Sequence, residues 1–500
     1  MTMAVGLLIR LWMPSGLQYT DAGNYARVAD LMARGEFSLE QSAYHVRLGF
    51  TVPLAGFVKT LGMGEYQILA YPLLCSMASI LLAYALTTVA FGRGGLIAAC
   101  LVASAPLSIV QASDVHTDGP MALWLGLAVL GVLQSSRGGI PSVQRLGWAV
   151  SVGVCLGLAY LTKLSALAFL PAVVLLGFLR KLDRKTTALA ALGFLAVVGT
   201  ETLTYFAVTG DAAYRLNAEF GSGTHFAQVS VAYGDRLANI RSALFEIPSI
   251  LFDPRPGASW YGLHMWLLLP AVLMSRTRRT QPAAFAIAAY LTALYIPLSF
   301  GTVDFTRWAP IQLRSPRITE PLLLPAAVLA AAWLTSVRRT TAYAVILPVL
   351  GVAAVAAQSL SLEARQQLLP LRTLVSSGVL SGCNPVFADP WNFDILHILM
   401  AGEDTSSRLK PLPRNPPKYG CVIVDKRSLA GQRRWQGLVP PAWIEESPGE
   451  MIATHGRFEP VRGGLVERLR TQRTVAAIWA LRPLPGGDLS LFRVPAGGER

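Results

Sequence analysis

The chain has 500 residues, 53% of them hydrophobic and only 14% charged, with a mean hydropathy of +0.46. Soluble domains carry about a quarter charged residues, so a soluble enzyme is excluded; the apolar stretches are continuous rather than alternating, which excludes a membrane β-barrel. The net charge of +14 does not point to nucleic acid, because much of the excess Arg and Lys sits at the ends of apolar stretches and no compact basic domain with stacking aromatics accompanies it.

Hydropathy places about eleven apolar spans, at roughly 1–16, 66–90, 94–111, 119–135, 146–161, 164–180, 187–208, 260–275, 282–300, 318–336 and 341–358. The first contains Arg10 and lacks a small-residue cleavage site, so it reads as an uncleaved, partly shallow span or a clipped start rather than a signal peptide. The turns after the even-numbered spans are short and basic: Arg93; Arg137 and Arg145; Arg180, Lys181, Arg184 and Lys185; Arg276, Arg278 and Arg279; Arg338 and Arg339. The positive-inside rule makes these turns cytoplasmic, which puts the N-terminus inside and the C-terminal tail outside.

The opposite face is built from longer segments. After the first span, Asp21 opens a stretch in which Tyr25, Val28, Ala29 and Met32 recur at helical spacing; Ala22–Arg34 therefore predicts an amphipathic helix along the membrane surface. Phe50–Leu61 and Ile240–Phe252 read the same way. Asp21 has two readings: a helix N-cap or a reactive carboxylate. Between the third and fourth spans, Asp114 and Asp118 are four residues apart and share a face if the segment is helical. Such a pair is suited to bind a divalent cation, to hold a sugar or to raise one carboxyl pKa; the alternative is a polar hairpin cap, with Asp118 ahead of Gly119-Pro120. His116 reads as a solvated turn residue. No metal-ligand set is assigned.

Lys163, between the fifth and sixth spans, is a cation on the outer side and calls for an anionic partner, for which a phosphate is the natural candidate. Arg307, Arg314 and Arg317 crowd one short outer loop, with Asp304 and Glu320 nearby. They suit a lipid-linked phosphate or diphosphate, or serve as interfacial anchors. From about residue 359 the composition changes to Pro-punctuated β-like runs at Pro385–Asp389, Cys421–Asp425, Val475–Leu481 and Leu489–Val494, with a helix at Phe393–Met400. The expected organisation is thus a membrane domain over 1–358 and a small α/β domain over 359–500. Cys383 and Cys421 are able to pair there if the tail lies outside the cytoplasm.

In order and spacing these features resemble the GT-C membrane glycosyltransferases, in the branch of protein O-mannosyltransferases and lipid A aminoarabinose transferases. The carrying residues are Arg10; Asp21 with Tyr25; Arg47-Leu48-Gly49 leading to Leu61-Gly62; Asp118-Gly119-Pro120; Thr162-Lys163; and Thr209-Gly210-Asp211. The resemblance implies an all-α polytopic membrane protein with interfacial helices and an extracytoplasmic C-terminal α/β domain, in a bacterial inner (plasma) membrane. It also implies inverting transfer of a sugar from a polyprenyl-phosphate donor to an extracytoplasmic acceptor. Asp21 would be the general base or acceptor-orienting carboxylate; Asp114, Asp118, Tyr25 and Arg47 would line the substrate; Lys163, Arg307, Arg314 and Arg317 would hold the donor phosphate. Family members commonly carry Asp-Glu where this chain has Asp21-Ala22. A transporter or flippase of lipid-linked glycans and a non-catalytic scaffold are the alternatives, but charges gather at the outer rim rather than mid-span, with Glu201 the main exception.

Overall fold

The structure, a computed structural model, describes residues 2–12, 21–221, 236–240, 245, 282–300, 302–304, 309–310, 316–336, 368, 370–401, 408–425, 428–429, 441, 443–444, 450–455, 458–460, 481–483 and 489–494. The chain forms two compact units. One comprises Met1–Pro14, Ser38–Pro53 and Ala70–Gln358; the other comprises Ser15–Phe37, Leu54–Leu69 and Ser359–Arg500.

The helices in chain order are α1 (Thr2–Trp12), α2 (Asp21–Arg34), α3 (Ala43–Val46), α4 (Leu48–Leu61), α5 (Glu65–Phe91), α6 (Gly95–Ser104), α7 (Pro106–Gln111) and α8 (Asp118–Ser135). There follow α9 (Ser142–Thr162), α10 (Leu170–Leu179), α11 (Arg184–Thr209), α12 (Tyr214–Gly221), α13 (Pro282–Phe300), α14 (Glu320–Ser336) and α15 (Pro390–Leu399). Among the described residues, α5, α9, α11 and α13 are long and apolar enough to cross a membrane; α1, α4, α6, α14 and the stretch Leu164–Leu179 are shorter apolar helices. The spans expected at 260–275 and 341–358, and most of the surface helix expected at 240–252, lie outside the described residues.

In the first unit α8, α9 and α11 pack side by side. Small residues let the last two approach closely: a Cβ on Gly193 would stand 2.8 Å from the carbonyl oxygen of Val150, the close backbone approach on which helix association in lipid depends. Helix α11 starts on Asp183, whose carboxylate accepts from the Thr186 amide at 2.7 Å, and stops at Gly210 with φ of 73°. Helix α14 is buried along almost its whole length, against α6, α8 and α13.

Two expected spans are not single helices. The stretch 94–111 breaks into α6 and α7, because Pro106 has no amide hydrogen to continue the ladder. The carbonyls freed at the break are taken up by the buried guanidinium of Arg10, which donates to Ala103 O at 2.9 Å and Val102 O at 3.4 Å, and to Ser76 and Ser108 Oγ at 2.8 Å each. The stretch 164–180 opens as a 3-10 turn, Leu164–Phe169, before α10.

The second unit holds a five-stranded sheet in the order β4 (Leu409–Pro411), β3 (Val386–Ala388), β5 (Gly420–Asp425), β9 (Leu489–Val494), β6 (Glu450–His455). β4, β3 and β5 are parallel, and β9 runs antiparallel to β5 and β6. Helix α15 is the crossover between β3 and β4, as a parallel pair requires. Two two-stranded pairs complete the strands: β1 (Thr302–Asp304) with β2 (Ala309–Pro310), and β7 (Phe458–Pro460) with β8 (Leu481–Pro483). The β-run expected at 475–481 falls, but for Leu481, outside the described residues. Val422, Val424, Trp443 and Ile444 form a local core with Phe387 and Phe492.

Cys383 and Cys421 are joined by a disulfide across 38 residues of chain. It is expected to leave both cysteines refractory to alkylation until a reductant is added, as read by mass spectrometry of the labelled peptides; labelling of either before reduction would show the bond absent. In the chain-entropy description a loop of this length is worth roughly 4 kcal/mol to the tail.

Candidate active site

In the first unit the acidic hairpin between α7 and α8 is buried. Asp114, His116, Thr117 and Asp118 are all almost inaccessible. The segment is not helical before Asp118, so Asp114 and Asp118 do not share a helix face, and the two carboxylates take different partners. His116 is not the solvated turn residue expected: its Nε2 lies 3.1 Å from Asp114 Oδ2, and burial of the pair is what the apolar ends of α7 and α8 impose on so short a turn. Asp118 is the first residue of α8, with Thr117 at the cap position. Its Oδ1 accepts from Lys163 Nζ at 2.7 Å, with side chains 3% and 13% exposed. The anionic partner that Lys163 called for is therefore present within the chain. Lys163 breaks the helix locally: it is extended (φ −156°, ψ 128°) at the junction where α9 ends and the following 3-10 turn starts.

A second set of charges adjoins it. Arg47, just ahead of α4, grips Glu219 of α12 with two bonds of 3.0 and 2.7 Å, the fork-to-carboxylate geometry that arginine favours. Arg215, one turn earlier on α12, is buried; it pairs with Glu201 of α11, donates to Tyr160 O at 2.5 Å and Val46 O at 3.2 Å, and stacks over the Tyr160 ring with 4.3 Å to the centroid. Burial works to raise the Glu219 carboxyl, but Arg47, Arg215 and Lys163 together hold it below the usual carboxylate range. Three cations (Arg47, Lys163, Arg215) and three acids (Asp118, Glu201, Glu219) thus form one balanced, largely buried network. Glu320, at the start of α14, lies within electrostatic reach of both Asp118 and Arg10. Asp114 Oδ1, Gln111 Oε1 and Glu320 Oε2 are buried acceptors without a hydrogen-bond donor among the described residues.

Arg215 and Glu219 were not legible as site residues from the sequence. The signal was there: their i,i+4 spacing on a short helix, and an in-span acid, Glu201, that required a cation. Arg317 lies in the 3-10 turn Pro316–Thr319 that leads into α14; Arg307 and Arg314 lie outside the described residues.

In the second unit Asp21 is the first residue of α2 and half-buried, and Tyr25 is buried one turn on. The opposing element is α15. Arg27 Nε stands 3.8 Å from Asp394 Oδ1, and Asp30 Oδ2 lies 3.1 Å from His397 Nε2 and 2.9 Å from Arg34 Nη2. Burial works to raise the Asp30 carboxyl, but bonds and charge from His397 and Arg34 hold it below the ordinary range. Burial pushes the Asp394 carboxyl up to about 6 against the pull of Arg27 and His397. The strand-end residue Asp389 is the N-cap of α15. It accepts from the amides of Trp391 and Asn392 at 3.1 and 3.3 Å, and from Ser428 Oγ at 2.5 Å. Among the described residues no group of three or more His, Cys, Asp or Glu side chains is arranged to hold a metal ion.

Residues 51–203 match the family described as dolichyl-phosphate-mannose-protein mannosyltransferase. That stretch contains Asp114, Asp118 and Lys163; Asp21 and Arg47 precede it, and Arg215 and Glu219 follow it. No curated protein sequence matches the chain. Solved structures do. ArnT from Cupriavidus metallidurans in the apo state superposes with a TM-score of 0.61 at 13% identity, covering 86% of this chain and 93% of that one. The same protein bound to undecaprenyl phosphate gives 0.60 at 14% identity, covering 88% and 94%. The Archaeoglobus fulgidus oligosaccharyltransferase gives 0.52 at 14% identity, covering 88% of this chain and 70% of that one.

Proposed function

We propose that this chain, which has the GT-C fold of membrane glycosyltransferases, moves a sugar from a polyprenyl-phosphate donor to an acceptor outside the cytoplasm, with inversion at the anomeric carbon. The observation that carries the proposal is the likeness to ArnT along nearly the full length of both chains, including the form of that protein bound to undecaprenyl phosphate. The chemistry of the buried charge network agrees with it. A single displacement needs a carboxylate to orient or deprotonate the acceptor and positive charge on the departing phosphate.

Asp21 is assigned the first role. Lys163 and Arg47 are assigned to the donor, with Arg307, Arg314 and Arg317 as further cations of the outer loops. An ammonium has three N–H donors, so the bond to Asp118 positions Lys163 while a phosphate oxygen engages another donor. Asp114 and the buried acceptors around it suit sugar hydroxyls, which bring the donors those oxygens need. The acid that suited an ion-coupled transporter, Glu201, is instead bonded to Arg215. The tail disulfide supports an oxidising compartment for the C-terminal domain.

The test is binding of undecaprenyl phosphate to the purified full-length protein. Lys163→Gln, which removes the charge and keeps an N–H donor on a side chain one bond shorter, is expected to weaken binding by about tenfold, the scale of one lost charge-assisted bond. The thermal midpoint of the variant is read alongside, because Asp118 loses its cation. Unchanged affinity would remove Lys163 from the phosphate site, and an absence of binding by the wild-type protein would overturn the donor assignment.

A further inference from the structure

The helix that carries Asp21 is not free-standing. α2 belongs to the compact unit of the tail, and one stripe of it faces α15. Gly23, two residues after Asp21, is the point of closest approach: a Cβ there would lie 2.7 Å from Asp394 Cβ, a main-chain-adjacent atom that cannot swing away. Going along α2, Arg27 meets Asp394 and Asp30 meets His397. Positions 23, 27 and 30 are i, i+4 and i+7, one face of a helix, while 394 and 397 are i, i+3 on the other helix. Two helices are thus joined by a contact that requires glycine and by two polar bridges, all within about two turns.

The far side of α15 is equally fixed. Its N-cap, Asp389, is bonded to Ser428 just beyond β5, and β5 is tied to the residue chain leading into β3 by the Cys383–Cys421 disulfide. A further bridge, Arg372–Glu65, fastens the tail to the first residue of α5 within the same unit.

We propose that α15 of the C-terminal domain is a clamp that sets the position of the Asp21 helix, through the close contact at Gly23 and with His397 as a positioning residue for the transfer reaction. The inference rests on the assignment of Asp21 made above. It gives the tail a role in catalysis through α2. Displacing a reacting group by about 1 Å costs up to about a hundredfold in rate without affecting the binding of substrate parts held elsewhere.

The test uses full-length protein and four variants: Gly23→Ala, His397→Ala, the pair Gly23→Ala/Asp394→Gly, and Asp21→Asn. Three quantities are read: the amount of the envelope glycan modification restored in a null strain, the affinity for undecaprenyl phosphate, and amide hydrogen exchange over residues 21–34. Gly23→Ala and His397→Ala are expected to lower the modification about 10- to 100-fold, to speed exchange in 21–34, and to leave lipid affinity and the thermal midpoint within error. The paired variant returns the space that the added methyl needs and is expected to recover most of the modification. Full activity with unchanged exchange in both single variants overturns the clamp. So does loss of activity with a lowered thermal midpoint and no recovery in the pair, which would mark the contact as support for folding alone. Loss of the modification in Asp21→Asn beside an active Gly23→Ala sinks the clamp but keeps the assignment of Asp21; a fully active Asp21→Asn removes that assignment and the inference with it.

Discussion

Replacing Asp21 by Asn should reduce the envelope glycan modification to background while the protein inserts and melts as the wild type does. The exchange keeps the side-chain volume and the first turn of α2, where Asp21 is half-buried. It removes the negative charge and the basic oxygen. General-base assistance is worth about 10²–10⁴ in rate, so the variant separates a reactive carboxylate from a helix cap, for which Asn serves as well as Asp. Glycan profiling of a null strain complemented with either form reads the difference. A normal profile from Asp21→Asn would assign the residue to capping.

The second large effect is on stability. Arg215→Ala leaves Glu201 in the interior without its cation and strips donors from the carbonyls of Val46 and Tyr160. Breaking a buried ion pair on one side costs about 3–5 kcal/mol. Glu201→Gln should cost less, because the amide oxygen still accepts from the guanidinium. The double replacement should be milder than the sum of the two single changes, since each removes the same interaction. Thermal midpoints in detergent, followed by fluorescence-detected gel filtration, measure all three. Equal, additive losses would mean that Arg215 is held by the carbonyls and the Tyr160 ring and that Glu201 contributes nothing.

Much of the architecture was legible because lipid imposes a coarse rule. Continuous apolar stretches and basic turns located α5, α8, α9, α11, α13 and α14 within a few residues. The period of Tyr25, Val28 and Ala29 placed α2, and β5, β9 and α15 in the tail lie where β-like and helical runs were read. What escaped was set by contacts between distant segments. Hydropathy runs straight through Pro106, so the break between α6 and α7 and its repair by Arg10 are invisible to it. Spacing suggested that Asp114 and Asp118 act together, yet the backbone between them leaves the helix, and tertiary structure gives one to His116 and the other to Lys163, 45 residues away. Arg47 and Glu219, 172 residues apart, could not be paired by any local pattern. Long-range charge pairing follows from the packing of α3, α9, α11 and α12, which a linear reading does not contain.

The seat of Arg10 has a consequence for biogenesis. An arginine within a short apolar helix is penalised on entry into lipid by about 2.5–3.5 kcal/mol on translocon scales, and the 11 residues of α1 offer little apolar length to offset it. The groups that neutralise that penalty, at Ser76, Val102, Ala103 and Ser108, are made some 65 to 100 residues later on the ribosome. α1 therefore does not settle alone: the partners of its arginine exist only once α5, α6 and α7 have emerged, so this helix takes its final place after segments that follow it in the chain.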